Sequence, residues 1–134
     1  MQHPNLNLPI RAICSITSGA TASTPVVIIE SYYSNDLDNG NTNRWYRKYS
    51  DGHIEQGGYA TNLVRDTVVR CNYITAYTDT STIQVFITPH STGEGTAPSA
   101  AIQVADTTTT DFGVHYDANN IANIDGYYWE AVGL

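Results

Sequence analysis

The side chains that could do chemistry in this chain are its carboxylates and its histidines. Glycoside hydrolysis needs two carboxylates that face each other across a cleft. The candidate carboxylates are Glu30, Glu55, Asp111 and Glu130, and nothing in the sequence pairs any two of them. Most other acidic residues stand at predicted turns, where aspartate hydrogen-bonds nearby backbone. The sequence also lacks a nucleophile elbow, a phosphate loop and a zincin motif. We therefore expect that the protein is not an enzyme.

The histidines, His3, His53, His90 and His115, are scattered along the chain without the paired spacing of a metal site. The segment from Asn35 to Asn41 resembles a calcium loop in composition. Counting from Asp36, however, Gly40 falls at the fifth place, whereas a calcium loop has glycine at the sixth. We predict an Asx-rich turn there, with calcium binding as the lesser alternative, and we expect no metal site and no cofactor.

Short β-strands are the elements that must position these residues, because helical periodicity is almost absent. Nine runs bounded by turn residues are predicted as strands: Ile10 to Thr17, Pro25 to Tyr33, Asn43 to Ser50, His53 to Ala60, Val64 to Thr78, Thr82 to Pro89, Ser99 to Val104, Thr109 to Tyr116 and Tyr127 to Val132. Alternation in the sixth run puts Ile83, Val85 and Ile87 on a core face. The pattern predicts an all-β antiparallel fold, either a β-sandwich or a jelly-roll-like barrel.

One hairpin is specified in detail. Asp51-Gly52 lies between two strand-forming runs and predicts a two-residue type I′ turn, since glycine tolerates the positive φ that this turn needs. That turn would set five cross-strand pairs: Tyr49 with Ile54, Lys48 with Glu55, Arg47 with Gln56, Tyr46 with Gly57, and Trp45 with Gly58. The aromatic rings are then expected to lie over the bare backbone of the two glycines.

Composition limits the partners. Only 14% of the 134 residues are charged, and the formal net charge is −7, with Lys48 as the only lysine. Nucleic acids and anionic membranes need clustered basic residues, so we expect neither partner, and no run is long enough for membrane insertion. Cys14 and Cys71 lack metal-ligand spacing, and Cys71 is predicted to be a small core residue. The length suits one domain, with a short neck or linker over residues 1–24 and a β-sandwich over residues 25–134.

The hairpin also carries a family resemblance. Its motif residues are Trp45, Tyr46, Tyr49, Asp51, Gly52, Glu55, Gln56, Gly57 and Gly58. They resemble the aromatic-Tyr-x-x-Tyr-Ser-Asp-Gly-aromatic-x-Glu-Gln-Gly-Gly signature of distal C-terminal domains in the tail fibres of tailed phages and prophages. The likeness extends in order over residues 25 to 134. The chain departs from the signature at His53, where the family often has a tryptophan.

The resemblance implies a fibre-tip domain that attaches a virion to a bacterial surface receptor, a glycan or a protein, or that caps and trimerises the fibre. It implies a homotrimer assembled in the host cytoplasm, where thiols stay reduced and no disulfide is expected. The apolar run Val26 to Ile29 agrees with a subunit contact. A secreted carbohydrate-binding module and a capsid decoration protein are the alternatives. An enzyme comes third, because some phage tail proteins degrade host polysaccharide.

The receptor site is expected on loops, since sandwich strands hold recognition loops at their ends. Two long polar segments, Pro89 to Pro98 and His115 to Asp125, are the candidates. The predicted receptor-binding residues are His90, His115, Tyr116, Asn119 and Asn120, with Tyr116 on an exposed loop. Plain surface connections are the alternative for both segments. Trp45 and Trp129 are predicted to be structural.

Overall fold

The computed structural model describes residues 24–91, 101–117 and 124–134. Within these ranges the regular elements are eight strands and one 3₁₀ turn, Thr80–Thr82. The strands are β1 (Ile28–Ser34), β2 (Asn41–Tyr49), β3 (Ile54–Ala60), β4 (Thr67–Asn72), β5 (Gln84–His90), β6 (Ala101–Thr107), β7 (Asp111–Asp117) and β8 (Gly126–Gly133). The predicted all-β fold is confirmed. The predicted strand Ile10 to Thr17 and the neck or linker up to residue 23 lie outside the described residues.

The strands form two sheets. One has five strands in the order β1-β2-β3-β8-β5, and the other has three in the order β4-β7-β6. Every neighbouring pair of strands is antiparallel, as predicted. The first three strands form a meander, whereas β8, from the end of the chain, lies between β3 and β5. These long-range pairings place residues from both ends of the described chain on one sheet.

The hydrophobic core lies where the two sheets face each other. The five-stranded sheet contributes Ile54, Ala60, Tyr127, Trp129 and Ala131, and the three-stranded sheet contributes Cys71, Phe112 and Val114. Phe112 contacts Trp129 across the core with ring centroids 5.4 Å apart. The predicted core residues Ile83, Val85 and Ile87 pack against this cluster. Cys71 is a free, buried thiol, as predicted for a small core residue, and Cys14 lies outside the described residues.

A buried glutamine shortens one predicted strand. The run Val64 to Thr78 was expected to be extended throughout, but β4 ends at Asn72. The side chain of Gln56 is fully buried. Its carbonyl oxygen accepts hydrogen bonds from the backbone N–H of Ile74 at 2.8 Å and of Thr75 at 3.1 Å, and its amide donates to the Thr75 carbonyl at 2.8 Å. The Gln56 side-chain amide therefore makes the hydrogen bonds to the backbone of Ile74 and Thr75 that a neighbouring strand would otherwise make.

The predicted hairpin register is wrong by one residue. The backbone N–H of Tyr49 donates to the His53 carbonyl at 3.0 Å, so the loop has three residues, Ser50 to Gly52. Gly52 has a φ of +94°, whereas Asp51 is not among the residues with positive φ, which excludes a type I′ turn. The observed pairs are Trp45 with Gly57, Tyr46 with Gln56, Arg47 with Glu55, and Lys48 with Ile54.

A two-residue turn of the predicted kind occurs earlier in the chain. Asn39 and Gly40 both have positive φ, +49° and +76°, and the flanking Asp38 and Asn41 exchange two backbone hydrogen bonds of 2.9 Å. This is the type I′ geometry. It lies inside the segment that was predicted to be an Asx-rich turn. Within the described ranges, no three His, Cys, Asp or Glu side chains are grouped to hold a metal ion.

Among the residues with described positions, no helix has the length and apolar character needed to cross a membrane.

Candidate functional site

The outer face of the five-stranded sheet carries large exposed side chains. Successive residues of a strand point to opposite faces, and β8 shows this clearly. Tyr127 and Trp129 are buried in the core, whereas Tyr128 between them is 52% exposed. In β5, Val85 and Ile87 pack on the core, whereas Phe86 is 59% exposed. The face that points away from the core is therefore rich in aromatic residues.

One row of paired residues crosses all five strands on this outer face. Tyr33 of β1 pairs with Trp45 of β2, which pairs with Gly57 of β3. Gly57 pairs with Glu130 of β8, and Glu130 pairs with Phe86 of β5. A second row adds Tyr59 and Tyr128, whose rings lie 4.8 Å apart. We call the surface formed by Tyr33, Trp45, Tyr59, Phe86, Tyr128 and Glu130 the aromatic face.

Gly57 fixes the position of Trp45. A Cβ at residue 57 would lie 2.6 Å from the Trp129 carbonyl oxygen and 2.9 Å from the Trp45 indole, so only glycine fits beneath this ring. The Arg47 guanidinium carbon lies 5.3 Å from the Trp45 ring centroid, in a cation–π arrangement. The indole is therefore half-buried and held by the backbone under it and the cation beside it.

A groove of about 410 Å³ lies along the aromatic face. The rings of Tyr33, Trp45, Phe86 and Tyr128 form its apolar lining, and Asn43, Thr88 and Glu130 add polar groups. Its volume is in the range of small-ligand sites, which are mostly apolar with a few placed polar groups. The groove can therefore hold a small ligand that has both an apolar face and hydrogen-bonding groups.

A β-bulge in β2 shapes one side of the groove. The register between β2 and β3 shifts between Thr42 and Trp45, and Asn43 within this shift has a φ of +50°. Asparagine tolerates this left-handed conformation better than most residues. Bulges redirect side chains and are frequent beside functional sites. Here the bulge places the exposed Asn43 at the groove lining, next to Trp45.

His90 lies at one end of the aromatic face. Its ring packs edge-on against Tyr59, with centroids 5.8 Å apart, and against Tyr128 at 5.9 Å. The Tyr59 hydroxyl also lies 3.5 Å from Nδ1 of His90. Burial raises the pKa of Tyr59 above its ordinary value. The predicted loop Pro89 to Pro98 is wrong at its first two residues, because Pro89 and His90 belong to strand β5. Its residues from 92 onward lie outside the described residues.

The other predicted receptor-binding residues lie elsewhere. The expectation of a loop at Tyr116 is wrong, because β7 continues to Asp117, with Tyr116 paired to Thr67 and Ile102 on its two sides. His115 follows the buried Val114, so alternation directs it away from the core on the three-stranded sheet.

His90 and His115 thus lie on different sheets and on opposite outer faces. Asn119 and Asn120 lie outside the described residues, and receptor binding by these residues stays a prediction.

Sequence reasoning missed most of the aromatic face. Phe86 occupies the polar register of an alternating strand, which was a readable signal for an exposed aromatic residue. Three consecutive aromatic residues, Tyr127 to Trp129, likewise require one ring to point away from the core. Trp45 was assigned a structural role only, whereas the structure also places its ring in the groove lining.

One edge of the five-stranded sheet is also exposed. Among the residues that the structure describes, strand β1 pairs with β2 alone, and the apolar run Val26 to Ile29, which leads into β1, is exposed throughout. On the inner side of this edge, Glu30 accepts a hydrogen bond from the Tyr46 hydroxyl and lies 3.5 Å from Lys48 Nζ. The Tyr46 hydrogen bond lowers the pKa of Glu30 and raises that of Tyr46. The edge therefore combines apolar residues with a paired charge.

Two antiparallel sheets around one core define an all-β domain, and its fold is similar to that of a solved tail fibre. An N-terminally truncated R2-type pyocin tail fibre matches with a TM-score of 0.53 at 19% sequence identity. The match covers 81% of this chain and 39% of the pyocin chain. No family model matches the sequence, and no curated protein matches it. The likeness to tail fibres that the hairpin motif indicated is confirmed at the level of the fold.

Proposed function

We propose that this chain is a distal domain of a tailed-phage or prophage tail fibre and attaches the virion to a receptor on the bacterial surface. The observation that carries the proposal is the fold similarity to the R2-type pyocin tail fibre over 81% of the chain. The hairpin motif from Trp45 to Gly58 supports it independently, because the motif resides in the sequence and not in the fold. A glycan is the favoured receptor, since exposed aromatic rings with polar edges suit sugars.

The proposal includes a homotrimer that caps the fibre end. Its support is the exposed apolar run Val26 to Ile29 and the outer edge of β1, which has no strand partner within the described ranges. An isolated domain usually protects such an edge. A secreted carbohydrate-binding module is the second candidate, favoured by the groove on the aromatic face. Sedimentation equilibrium separates the two, since a trimer mass fits the fibre and a monomer mass fits the module.

The remaining parts of the proposal follow from the same role. The protein belongs to the virion and is assembled in the bacterial cytoplasm, with no enzymatic activity, no cofactor and no nucleic-acid partner. The net charge of −7 supports the last point. Release of reducing sugar from host polysaccharide by the purified protein would contradict the absence of enzymatic activity.

Adsorption to whole cells tests attachment. The fluorescently labelled full chain is incubated with a broad panel of bacterial strains, and the bound fraction is measured after washing. We expect saturable adsorption to a subset of strains, blocked by an excess of unlabelled protein. Heat-denatured protein is the control. If the folded protein adsorbed to none of the strains, a receptor-binding role would be contradicted.

A further inference from the structure

We propose that the groove on the aromatic face binds an uncharged pyranose of a bacterial surface polysaccharide, an inference that rests on the proposed attachment function. Tyr33, Phe86 and Tyr128 are each more than half exposed, and they surround the half-buried ring of Trp45. Exposed apolar patches of this kind mark interaction sites. A pyranose presents an apolar C–H face that stacks on such rings and hydroxyl groups that bond at their edges.

Glu130 favours a sugar over a protein surface as the occupant. It lies in the middle of the aromatic row, between Gly57 and Phe86. Its side-chain carboxylate makes no hydrogen bond or ion pair with any residue whose position is described. Covering a carboxylate with an apolar protein surface leaves an uncompensated charge, which is strongly destabilising. Sugar hydroxyls donate hydrogen bonds to a carboxylate, so a glycan satisfies Glu130 without a counter-charge.

The same carboxylate sets the charge of the ligand. Together with a net charge of −7 for the chain, Glu130 repels uronic acids and phosphorylated sugars. Asn43 supplies both a donor and an acceptor, and Thr88 a hydroxyl, at the groove lining. Each of these groups matches a sugar hydroxyl. The groove therefore suits a neutral ring that hydrogen-bonds at its rim.

The groove is also organised before binding. Trp45 is held between Gly57 and Arg47. The bulge in β2 fixes the backbone from which the Asn43 side chain extends. Trp45 and Tyr128 lie on β2 and β8, which have a strand on each side. Rings on such strands lose little freedom on binding, which favours affinity. A volume of about 410 Å³ accommodates one or two sugar rings.

Saturation-transfer NMR tests this inference. The full chain is mixed with methyl glycosides of glucose, galactose, mannose, rhamnose and N-acetylglucosamine at millimolar concentration. We expect transfer to the ring C–H protons of at least one neutral glycoside. The double variant Phe86→Ala/Tyr128→Ala should weaken binding about tenfold or more, as expected for losing stacked rings. Leu37→Ala, at an exposed loop residue outside the groove, is the matched control and should bind like the wild type.

The charge of the ligand is tested in the same experiment. Methyl glucuronide should bind more weakly than the neutral glucoside to the wild type, and Glu130→Gln should remove that difference. Transfer to none of the neutral glycosides, or equal transfer in the Phe86→Ala/Tyr128→Ala variant, would overturn the inference. A sedimentation mass that falls in that double variant, without glycoside binding, would assign the face to a second copy of the chain.

Cell adsorption distinguishes this inference from the attachment function on which it rests. If the wild type adsorbs to bacteria and the Phe86→Ala/Tyr128→Ala variant adsorbs equally, attachment stands and the groove is not its site. If the wild type binds glycosides in the groove but adsorbs to no strain, the groove inference stands and attachment fails.

Discussion

The two faces of the five-stranded sheet are built from the same residue types and differ in what covers them. In β8, Tyr127 is 1% exposed and the adjacent Tyr128 is 52% exposed. The inner face meets the second sheet, and the Trp129 indole N–H on this face donates a hydrogen bond to Asn41 Oδ1 of β2 at 3.1 Å. On the outer face, the Glu130 carboxylate has no hydrogen-bond or ion-pair partner among the described residues. The inner face therefore holds the fold together, and the outer face is the one that we propose binds a ligand.

The largest predicted effect is a difference in the free energy of unfolding between substitutions on the inner face and on the outer face. Replacing Trp129 with alanine removes a buried ring from the core and should lower the free energy of unfolding by about 3–5 kcal/mol. Phe86→Ala, on the outer face, should change it by about 0.5 kcal/mol or less. Urea unfolding followed by circular dichroism measures both. Equal losses would show that the aromatic face contributes to folding as much as the core does.

Alkaline pH should destabilise the core between the two sheets. Burial raises the pKa of Tyr77 and of the Cys71 thiol to about 12, and it also raises the pKa of Tyr127. The folded state therefore keeps protons that the unfolded chain releases above about pH 9–10. Stability is then fully present below that range and is lost as the pH rises toward 12.

The expected slope is about 1.4 kcal/mol per pH unit for each such group. Urea midpoints measured from pH 8 to pH 11 give this slope. Tyr77→Phe keeps the ring and removes one titrating group, so it should reduce the loss. A stability that stays level up to pH 11 would contradict the burial of these groups.

Gly57 links the two faces, and its substitution should have an intermediate effect. A methyl group there would overlap the Trp129 carbonyl oxygen on one side and the Trp45 ring on the other. Gly57→Ala should therefore cost about 1–3 kcal/mol and displace the Trp45 indole from the groove. Thr88→Ala, on the same face without such a contact, is the control. An unchanged indole N–H resonance of Trp45 in the Gly57→Ala spectrum would contradict this packing.

Local patterns in the sequence predicted much of the fold and little of the site. Alternation was enough to identify Val85 and Ile87 as core residues, since it needs only one strand. The position of the hairpin was right, but its register depends on whether Asp51 takes a positive φ together with Gly52 or Gly52 takes it alone, and the residue types allow both. The end of β4 depends on Gln56, which is distant in sequence and whose buried amide hydrogen-bonds the chain after Asn72.

The aromatic face could not be assembled from sequence because its members meet only through long-range pairing. Trp45 and Phe86 lie on one row because β8 inserts between β3 and β5. Tyr116 illustrates the opposite error. A polar segment after it indicated a loop, yet pairing with strands on both sides keeps it in the sheet. The residue types around Tyr116 do not show how far the two neighbouring strands extend beside it.

Cell adsorption by folded variants tests the separation of the two faces most directly. Phe86→Ala/Tyr128→Ala and the control Leu37→Ala are first matched to the wild type in urea midpoint and sedimentation mass. Their adsorption to a strain that binds the wild type is then compared. We predict that the double variant loses adsorption by about tenfold or more while Leu37→Ala retains it. Undiminished adsorption by the double variant would contradict the assignment of the outer face to receptor binding.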